Sequence, residues 1–555
     1  MRIGLDFDNT IADYDQAFPR VARLLGVVTG AESKQSLRDE LTTSPEGERT
    51  WQRIQGLVYG RYINEAQPHS GVAEFVRRAR CLGHELFIIS HKSEFGHFDE
   101  SRTPLREAAM TWLLKNQIVG ESTLSIRPSH VYFAATRSDK LSTIKALEID
   151  VFVDDLLEVL TESGFPSIAR RVWFVPRAVA EEQNFRSFAE QPQVDGADTP
   201  ISRASSWKQF ANELFGTITA DESRALLESE WPDLQVSEVS RVAGRGNSQI
   251  FRVDYKEGIA ALKMYPDLIP DKRPRRVTEW LALQLLATRG FSVPRPIATS
   301  ARLNWSLLAW LPGDAPAPDD AAALSHALSF VKSLKELSRE QPDGHDLASE
   351  SCLRPIDIAT QIDERIRRLQ STDQSELTDF LNGNLLRERD RRATEAQELL
   401  GNRWAVSIPG GHQILSPSDF GFHNAFKSAD GQVTFFDFEY FGWDDPVKLI
   451  ADFAIHPGSN IEPKLQQLWI ESACTMFSDD DNFATRLSAC LPLYALRWVL
   501  ILLNEFRPDV ARKRVLAQSI LEAELPRIQG VQLEKARQMI KKTFPKVPGA
   551  SELKK

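Results

Sequence analysis

The sequence predicts two domains, an α/β unit followed by an α+β unit. Three observations carry this. At 555 residues the chain is longer than one core of roughly 100–200 residues would need. Over the first two hundred residues, short apolar runs alternate with helical patterns, as βαβ crossovers around a mostly parallel sheet require. From about Thr217 the texture changes to strands around a glycine loop, then to long charge-laced helical segments.

The elements follow in order. Apolar runs at 3–7, 85–89, 131–134 and 151–153 each end at a polar cluster and predict strands, with helices at 72–80 and 105–115 between them. Residues 190–206 are rich in Gln, Pro, Gly, Asp and Ser and predict a linker or mobile loop. A short amphipathic helix at 207–215 can dock on the first sheet. The second half predicts strands on either side of a glycine loop at 239–253, a strand at 259–264 and a helix at 276–287. Helical segments at 319–339 and 358–400 precede a β-rich stretch at 433–438. The expected domains are 1–216 and 217–555, the latter with a small lobe at 235–310 and a helical large lobe at 315–530. Charge runs at 387–392 and 535–555 predict solvated helix faces.

Composition limits the function classes. With 67 Lys+Arg against 77 Asp+Glu, the formal charge of −10 argues against nucleic acid as a partner. Cys81, Cys352, Cys474 and Cys490 form no CxxC pair, which disfavours a disulfide framework or a structural zinc site. Met1 is followed at once by the strand-like Ile3-Gly4-Leu5, so the expectation is a cytoplasmic protein without a signal peptide. The apolar stretch 491–503 holds Pro492 and Arg497 and is too short for a bilayer, so a buried helix and no membrane association are expected. Oligomeric state is not legible.

Two carboxylates, Asp6 and Asp8, follow the first predicted strand in Asp6-Phe7-Asp8-Asn9-Thr10. Positions i and i+2 leave an extended strand on the same side, at the strand end where open α/β sheets gather ligands. One carboxylate can be a nucleophile and the other a proton donor. Ser90, Lys140 and the pair Asp154-Asp155 also sit at strand ends or helix starts. A hydroxyl, an ammonium and a second carboxylate pair suit a phosphate and Mg²⁺ together. These four motifs, over roughly 1–215, resemble the haloacid dehalogenase-like phosphohydrolases. The resemblance implies a Rossmann-like sheet with a small helical cap at about 13–68. It also implies Asp6 as nucleophile, Asp8 as general acid and then base, and Ser90 and Lys140 as ligands of the phosphoryl oxygens. Mg²⁺ would be held by Asp6, the Asp8 carbonyl and Asp154, with Asp155 close by. His91 and His97 beside Ser90 are more simply structural.

The second constellation begins at Gly244-Arg245-Gly246-Asn247-Ser248 between two predicted strands, where glycines allow close backbone approach to phosphates. Lys263 in the next strand and Glu279 in the next helix follow. Then comes Ser416-Pro417-Ser418-Asp419-Phe420-Gly421-Phe422-His423-Asn424, an apolar strand and Asp437. Asp, then Asn five residues on, then a strand-end Asp, matches the kinase logic of base and two metal ligands. With Asp437-Phe438-Glu439, Trp443-Asp444-Asp445-Pro446 and Asp452-Phe453, the stretch 235–510 resembles the aminoglycoside phosphotransferase and choline-kinase-like family. That resemblance implies a bilobal protein-kinase-like fold. Asp419 would be the base, Asn424 and Asp437 would hold Mg²⁺, and Lys263 and Glu279 would orient the phosphates of ATP. The resemblance also implies that Trp310 falls in the segment joining the lobes, where backbone would meet adenine. The family usually has His two residues before the catalytic Asp, where Pro417 stands here. The basic cluster Lys272-Arg273-Pro274-Arg275-Arg276 is either an anion site or a solvated loop. His412 and His423 receive no role.

Together these imply a bifunctional Mg²⁺-dependent phosphatase and ATP-dependent kinase acting on hydroxyls of a small metabolite. The expected partner is a phosphorylated or polyhydroxylated small molecule, with a sugar phosphate of cell-surface glycan synthesis as one candidate by analogy. The alternative is a phosphatase whose kinase-like half binds nucleotide and regulates without transfer.

Overall fold

The computed structural model describes residues 1–167, 169–176, 201–242, 248–266, 273–342, 344–370, 374–508, 510–511, 522–542 and 545–548. The first sheet has six parallel strands: β1 Arg2–Leu5, β2 Glu85–His91, β3 Val131–Ala134, β4 Val151–Asp154, β5 Arg170–Phe174 and β6 Ile201–Ala204. Their order is β3-β2-β1-β4-β5-β6. The protein is mixed α/β with a parallel sheet. Ile3 and Leu5 are fully buried, as are Phe152 and Val153. Strands covered on both faces read as continuous apolar runs, which is why β1, β2 and β4 were legible; β3 lies at the sheet edge and was legible from its own run Val-Tyr-Phe-Ala. Gly4 is required by packing, since a Cβ there would lie 2.6 Å from the Phe152 ring.

Two strands escaped the sequence analysis. β5 was not predicted, and β6 falls inside the stretch expected to be a linker. β6 reads Ile-Ser-Arg-Ala at the sheet edge, with only Ala204 buried, so it offers no apolar run. The rest of the expected loop, 190–200, lies outside the described residues. The helix Trp207–Phe215 follows, capped by the Ser206 side chain, and its fully buried Trp207 packs on Phe75 and Phe174.

Between Asp13 and Gln67 the chain makes three α-helices, Ala17–Leu24, Lys34–Leu41 and Pro45–Tyr59. Ser33 and Ser36 form a capping box for the second, and Ser44 with Pro45 at the first position starts the third. A short antiparallel ladder, Ala12–Asp13 with Gln67–Pro68, closes the neck of this insertion.

The chain divides into two compact units. The first is Met1–Gly258 with 263–272 and 300–305, and the second is 259–262, 273–299 and 306–555. The boundary expected at 216 falls inside the first unit. Beyond it, the helix Ala220–Glu230 carries Glu222, whose Oε1 accepts from the fully buried Arg78 Nε at 2.9 Å.

A second sheet has the order Pro296–Ser300, Trp305–Ala309, Gly258–Met264, Gln249–Tyr255, Val236–Val242. The helices Ala321–Arg339, Pro355–Gln370 and Phe483–Leu502 build the core of the second unit. The helical segment expected at 358–400 is broken into Pro355–Gln370, Ser375–Phe380, a π turn at Leu381–Leu385 and Leu386–Leu400. Asn382-Gly383-Asn384, poor helix formers, fall in the π turn. The helix Phe483–Leu502, extended by one 3₁₀ turn, is long and apolar enough to cross a membrane, which corrects the expectation that it is too short. Its most apolar window is 67% buried inside the protein.

Candidate active sites

The first site forms where β1 and β4 end side by side. Leu5 pairs with Val153, and the Asp6 amide donates to the Val153 carbonyl at 2.9 Å, so Asp6 and Asp154 stand level. Lys140, near the start of the helix Arg137–Ala146, reaches both carboxylates, at 2.5 Å to Asp6 and 2.7 Å to Asp154. Carboxylate oxygens of Asp6, Asp154 and Asp155 lie within 4.8 Å of one another. Burial pushes the Asp6 carboxyl up to about 8, against Lys140 and with the push of Asp154 and Asp155. Burial and Asp154 likewise raise Asp155 to about 7. One ammonium among three carboxylates, two buried and Asp155 half-buried, leaves excess negative charge, which a proton or a divalent cation offsets. Hard oxygen donors this close fit Mg²⁺.

Asp8 is held differently. Its carboxylate accepts from Lys92 Nζ at 2.8 and 2.9 Å and from the Tyr14 hydroxyl at 2.8 Å. The turn after it puts Asn9 at φ 56°, and its carbonyl pairs with His69 Nε2 at 2.9 Å. Thr10 braces the turn, accepting from the Asp155 amide at 3.1 Å, while its carbonyl accepts from Trp207 Nε1 at 3.1 Å. Ser90 is buried at the end of β2, two residues beyond Ile88, the register partner of Leu5. Sequence reasoning missed the groups that close over this site. Lys34 from the inserted helices donates to Asn9 Oδ1 at 2.8 Å and to the Tyr59 hydroxyl at 3.0 Å. The i+2 spacing of Lys92 from Ser90 was a usable signal; Lys34, Tyr14 and Tyr59 had none.

The second site is organised by the hairpin Ala425–Lys427 with Val433–Phe435, which places Asn424 and Asp437 at its open end. The Phe436 amide donates to the Asn424 carbonyl at 3.0 Å. Asp437 adopts φ 68° after the strand, and the Phe438 amide donates to Glu279 Oε1 at 3.2 Å. Carboxylate oxygens of Glu279, Asp437 and Glu439 gather within 4.8 Å, a donor set that also fits Mg²⁺. Glu439, quoted in the motif but assigned no role, is ion-paired with Arg275. Asp419 sits one turn before Asn424, whose side-chain amide donates to the Asp419 carbonyl at 2.9 Å. Although burial opposes it, the His423 hydrogen bond holds the Asp419 carboxyl well below the usual range. Burial and His423 together push His456 down to about 3. Ser418, at φ 68°, accepts from Lys448 Nζ at 2.6 Å.

Of the remaining predicted residues, Gly244, Arg245, Gly246 and Asn247 lie outside the described residues. Ser248 directly precedes the strand Gln249–Tyr255. Lys263 is buried in the first unit, its Nζ 5.1 Å from the Tyr265 ring centre, whereas Glu279 belongs to the second. The Trp310 amide donates to the Ile259 carbonyl at 3.2 Å. The basic cluster is no solvated loop over its described part. Arg273 and Arg275 stack over Tyr440 at 5.0 and 4.9 Å, and Arg276 donates to Thr299 Oγ1 at 2.8 Å.

Residues 238–480 match the model of the family described as phosphotransferase enzymes, APH. This segment is a kinase-like phosphotransferase domain. Part of the chain is similar to a curated protein of Oceanobacillus iheyensis named "Putative nucleotidase", 24% identical over 174 residues, covering 30% of this chain and 83% of that one. Among solved structures, a choline/ethanolamine kinase family protein from Mesorhizobium loti is 14% identical, covering 60% of this chain and 97% of its own, with a TM-score of 0.40. The amicoumacin kinase hAmiN, solved with AMP-PNP, Ca²⁺ and Ami, is 16% identical, covering 57% and 93%, with a TM-score of 0.38.

Proposed function

We propose that the chain is bifunctional, with a Mg²⁺-dependent phosphatase in its first unit and an ATP-dependent small-molecule kinase in its phosphotransferase segment. The phosphatase reading is carried by the Asp6–Lys140–Asp154 arrangement at the end of β1. Asp6 would attack the phosphorus while the bond to the leaving oxygen breaks, forming an aspartyl-phosphate, and Asp8 would give that oxygen its proton. Asp8, oriented by Lys92 and Tyr14, would then take a proton from the water that releases phosphate. Lys140 and Ser90 would hold the non-bridging oxygens. Mg²⁺, held by Asp6, Asp154 and Asp155, supplies charge neutralisation there. The relative named as a nucleotidase supports a phosphomonoester substrate.

The kinase reading is carried by the family match. Asp419 would accept the proton of the acceptor hydroxyl as its oxygen attacks the γ-phosphorus and ADP leaves. Asn424 and Asp437, with Glu279 and Glu439 beside them, would hold Mg²⁺ on the phosphates. The test uses Asp6→Asn protein, so that products survive. It receives Mg²⁺, γ-labelled ATP and a panel of sugars, sugar phosphates, nucleosides and amino alcohols. A labelled product is expected, and Asp419→Asn should reduce it by about 10²-fold or more. No label from any acceptor, with ATP still bound, would favour a regulatory nucleotide-binding half instead.

A further inference from the structure

The histidines around Asp419 have no part in the proposed reaction, and any role for them in transfer rests on Asp419 being its base. Asp419 Oδ1 lies 2.9 Å from His423 Nε2 and 3.5 Å from His456 Nε2. The two imidazoles are face to face, with centroids 3.6 Å apart and planes 6° from parallel. Their hydrogen bonds assign the tautomers. The Gly458 amide points its proton at His456 Nδ1 at 2.9 Å, so a neutral His456 carries its own proton on Nε2, towards Asp419. A carboxylate can only accept, so His423 also carries its proton on Nε2, and the Ser459 hydroxyl donates to His423 Nδ1 at 3.0 Å. The His423 N–H thus donates to Oδ1, while His456 Nε2 faces the same oxygen from 3.5 Å, an electrostatic contact rather than a hydrogen bond. Among the described residues no hydrogen bond reaches Oδ2, the oxygen left for an acceptor.

These side chains also form a cluster with metal-ligand spacing. A metal on His456 Nε2 would force its proton onto Nδ1, against the Gly458 amide. The tautomers favour a hydrogen-bonded support over a metal site.

We propose that His423 and His456 are a paired positioning device that locks the Asp419 carboxylate in one orientation. It takes over the support that similar kinases place two residues before the aspartate, where this chain has Pro417. His456 can do this because it is itself fixed. It directly follows the helix Pro446–Ile455, and its ring lies edge-to-face with Trp498, centroids 4.1 Å apart. Trp498 Nε1 in turn donates to Asp452 at 2.8 Å, and Arg497 pairs with the same carboxylate at 2.5 Å. A base held in place beforehand need not reorganise when the acceptor hydroxyl arrives.

The experiment compares His423→Leu, His456→Leu, His423→Gln and His456→Gln in the full chain carrying Asp6→Asn. Gln keeps an N–H donor at the reach of Nε2, whereas Leu removes it. Both Leu variants should lose kcat, on the order of 10²-fold, with the KM for ATP unchanged, and the Gln variants should recover most of it. The double Leu variant should lose less than the product of the single losses, because both rings act on one oxygen. Equal kcat in all variants, or no difference between Gln and Leu, overturns the proposal. A second readout needs no turnover: with ¹⁵N-labelled histidine, Asp419→Asn should shift both Nε2 resonances. Unmoved resonances overturn the pairing. If the resonances move but the parent protein transfers no phosphoryl group, the kinase reading has failed and the paired support stands.

Discussion

Lys140 is the residue on which the first site turns, because its ammonium touches two of three clustered carboxylates and is 3% exposed. Lys140→Met leaves those carboxylates without their cation, a loss of about 3–5 kcal/mol for a broken buried pair. The variant should melt well below the parent in chelator and regain much of the difference in Mg²⁺, with phosphate release lost; differential scanning calorimetry and a phosphate assay would show both. Equal melting with and without Mg²⁺ in both proteins would mean that the carboxylates do not bind it. His456 sets a pH dependence in the other unit. Its folded value near 3 lies below the ordinary value near 6.5, so only the unfolded chain takes up a proton on acidification. The stability this provides is complete above pH 6.5 and is lost as pH falls towards 3. Asp419, also depressed, acts in the same direction at lower pH. Denaturant titrations between pH 8 and 5 should show the parent losing about 2 kcal/mol more than His456→Gln. Parallel curves for the two proteins would contradict that assignment.

At the scale of elements, β1, β2 and β4 and the groups at their ends were legible because a parallel sheet buries both faces and gathers its chemistry at one edge. Asp6, Ser90, Lys140 and Asp154 each terminate an apolar run or begin a helix, so pattern alone aligned them. β6 was not legible because an edge strand needs no continuous apolar run, and the interior β5 was not because Arg170 and Arg171 interrupt its run. Pairings over long separations were invisible for a different reason. Nothing in the residues around Arg78 announces Glu222, 144 positions away, and nothing in the Asp419 motif points to His456. The Arg78 pair has a consequence for where the chain can be cut. Arg78 also donates to Asn212 Oδ1 at 3.1 Å and to the Gly216 carbonyl at 2.8 Å. A fragment ending at 216 keeps these two contacts and loses the carboxylate, leaving a buried guanidinium without its counter-charge. Fragment 1–216 should therefore unfold more readily than fragment 1–235, by about 3–5 kcal/mol in urea titrations. Equal midpoints would show that Glu222 contributes little.

The whole molecule places two clusters of carboxylates on one chain, each suited to a divalent cation. The segments of the first unit are interleaved with those of the second in sequence. Trp305, fully buried, donates its indole N–H to Glu74 Oε2 at 3.2 Å, and Arg302 pairs with Glu230 at 3.0 Å. A growing polypeptide thus cannot complete its first unit when Gly258 leaves the ribosome. Until the 300–305 stretch emerges, Glu74 has no indole to bind. At about 5–20 residues per second this wait lasts roughly seconds, during which β1 and its neighbours can pair but the unit stays unsealed. For this protein, the order of synthesis is not the order of completion.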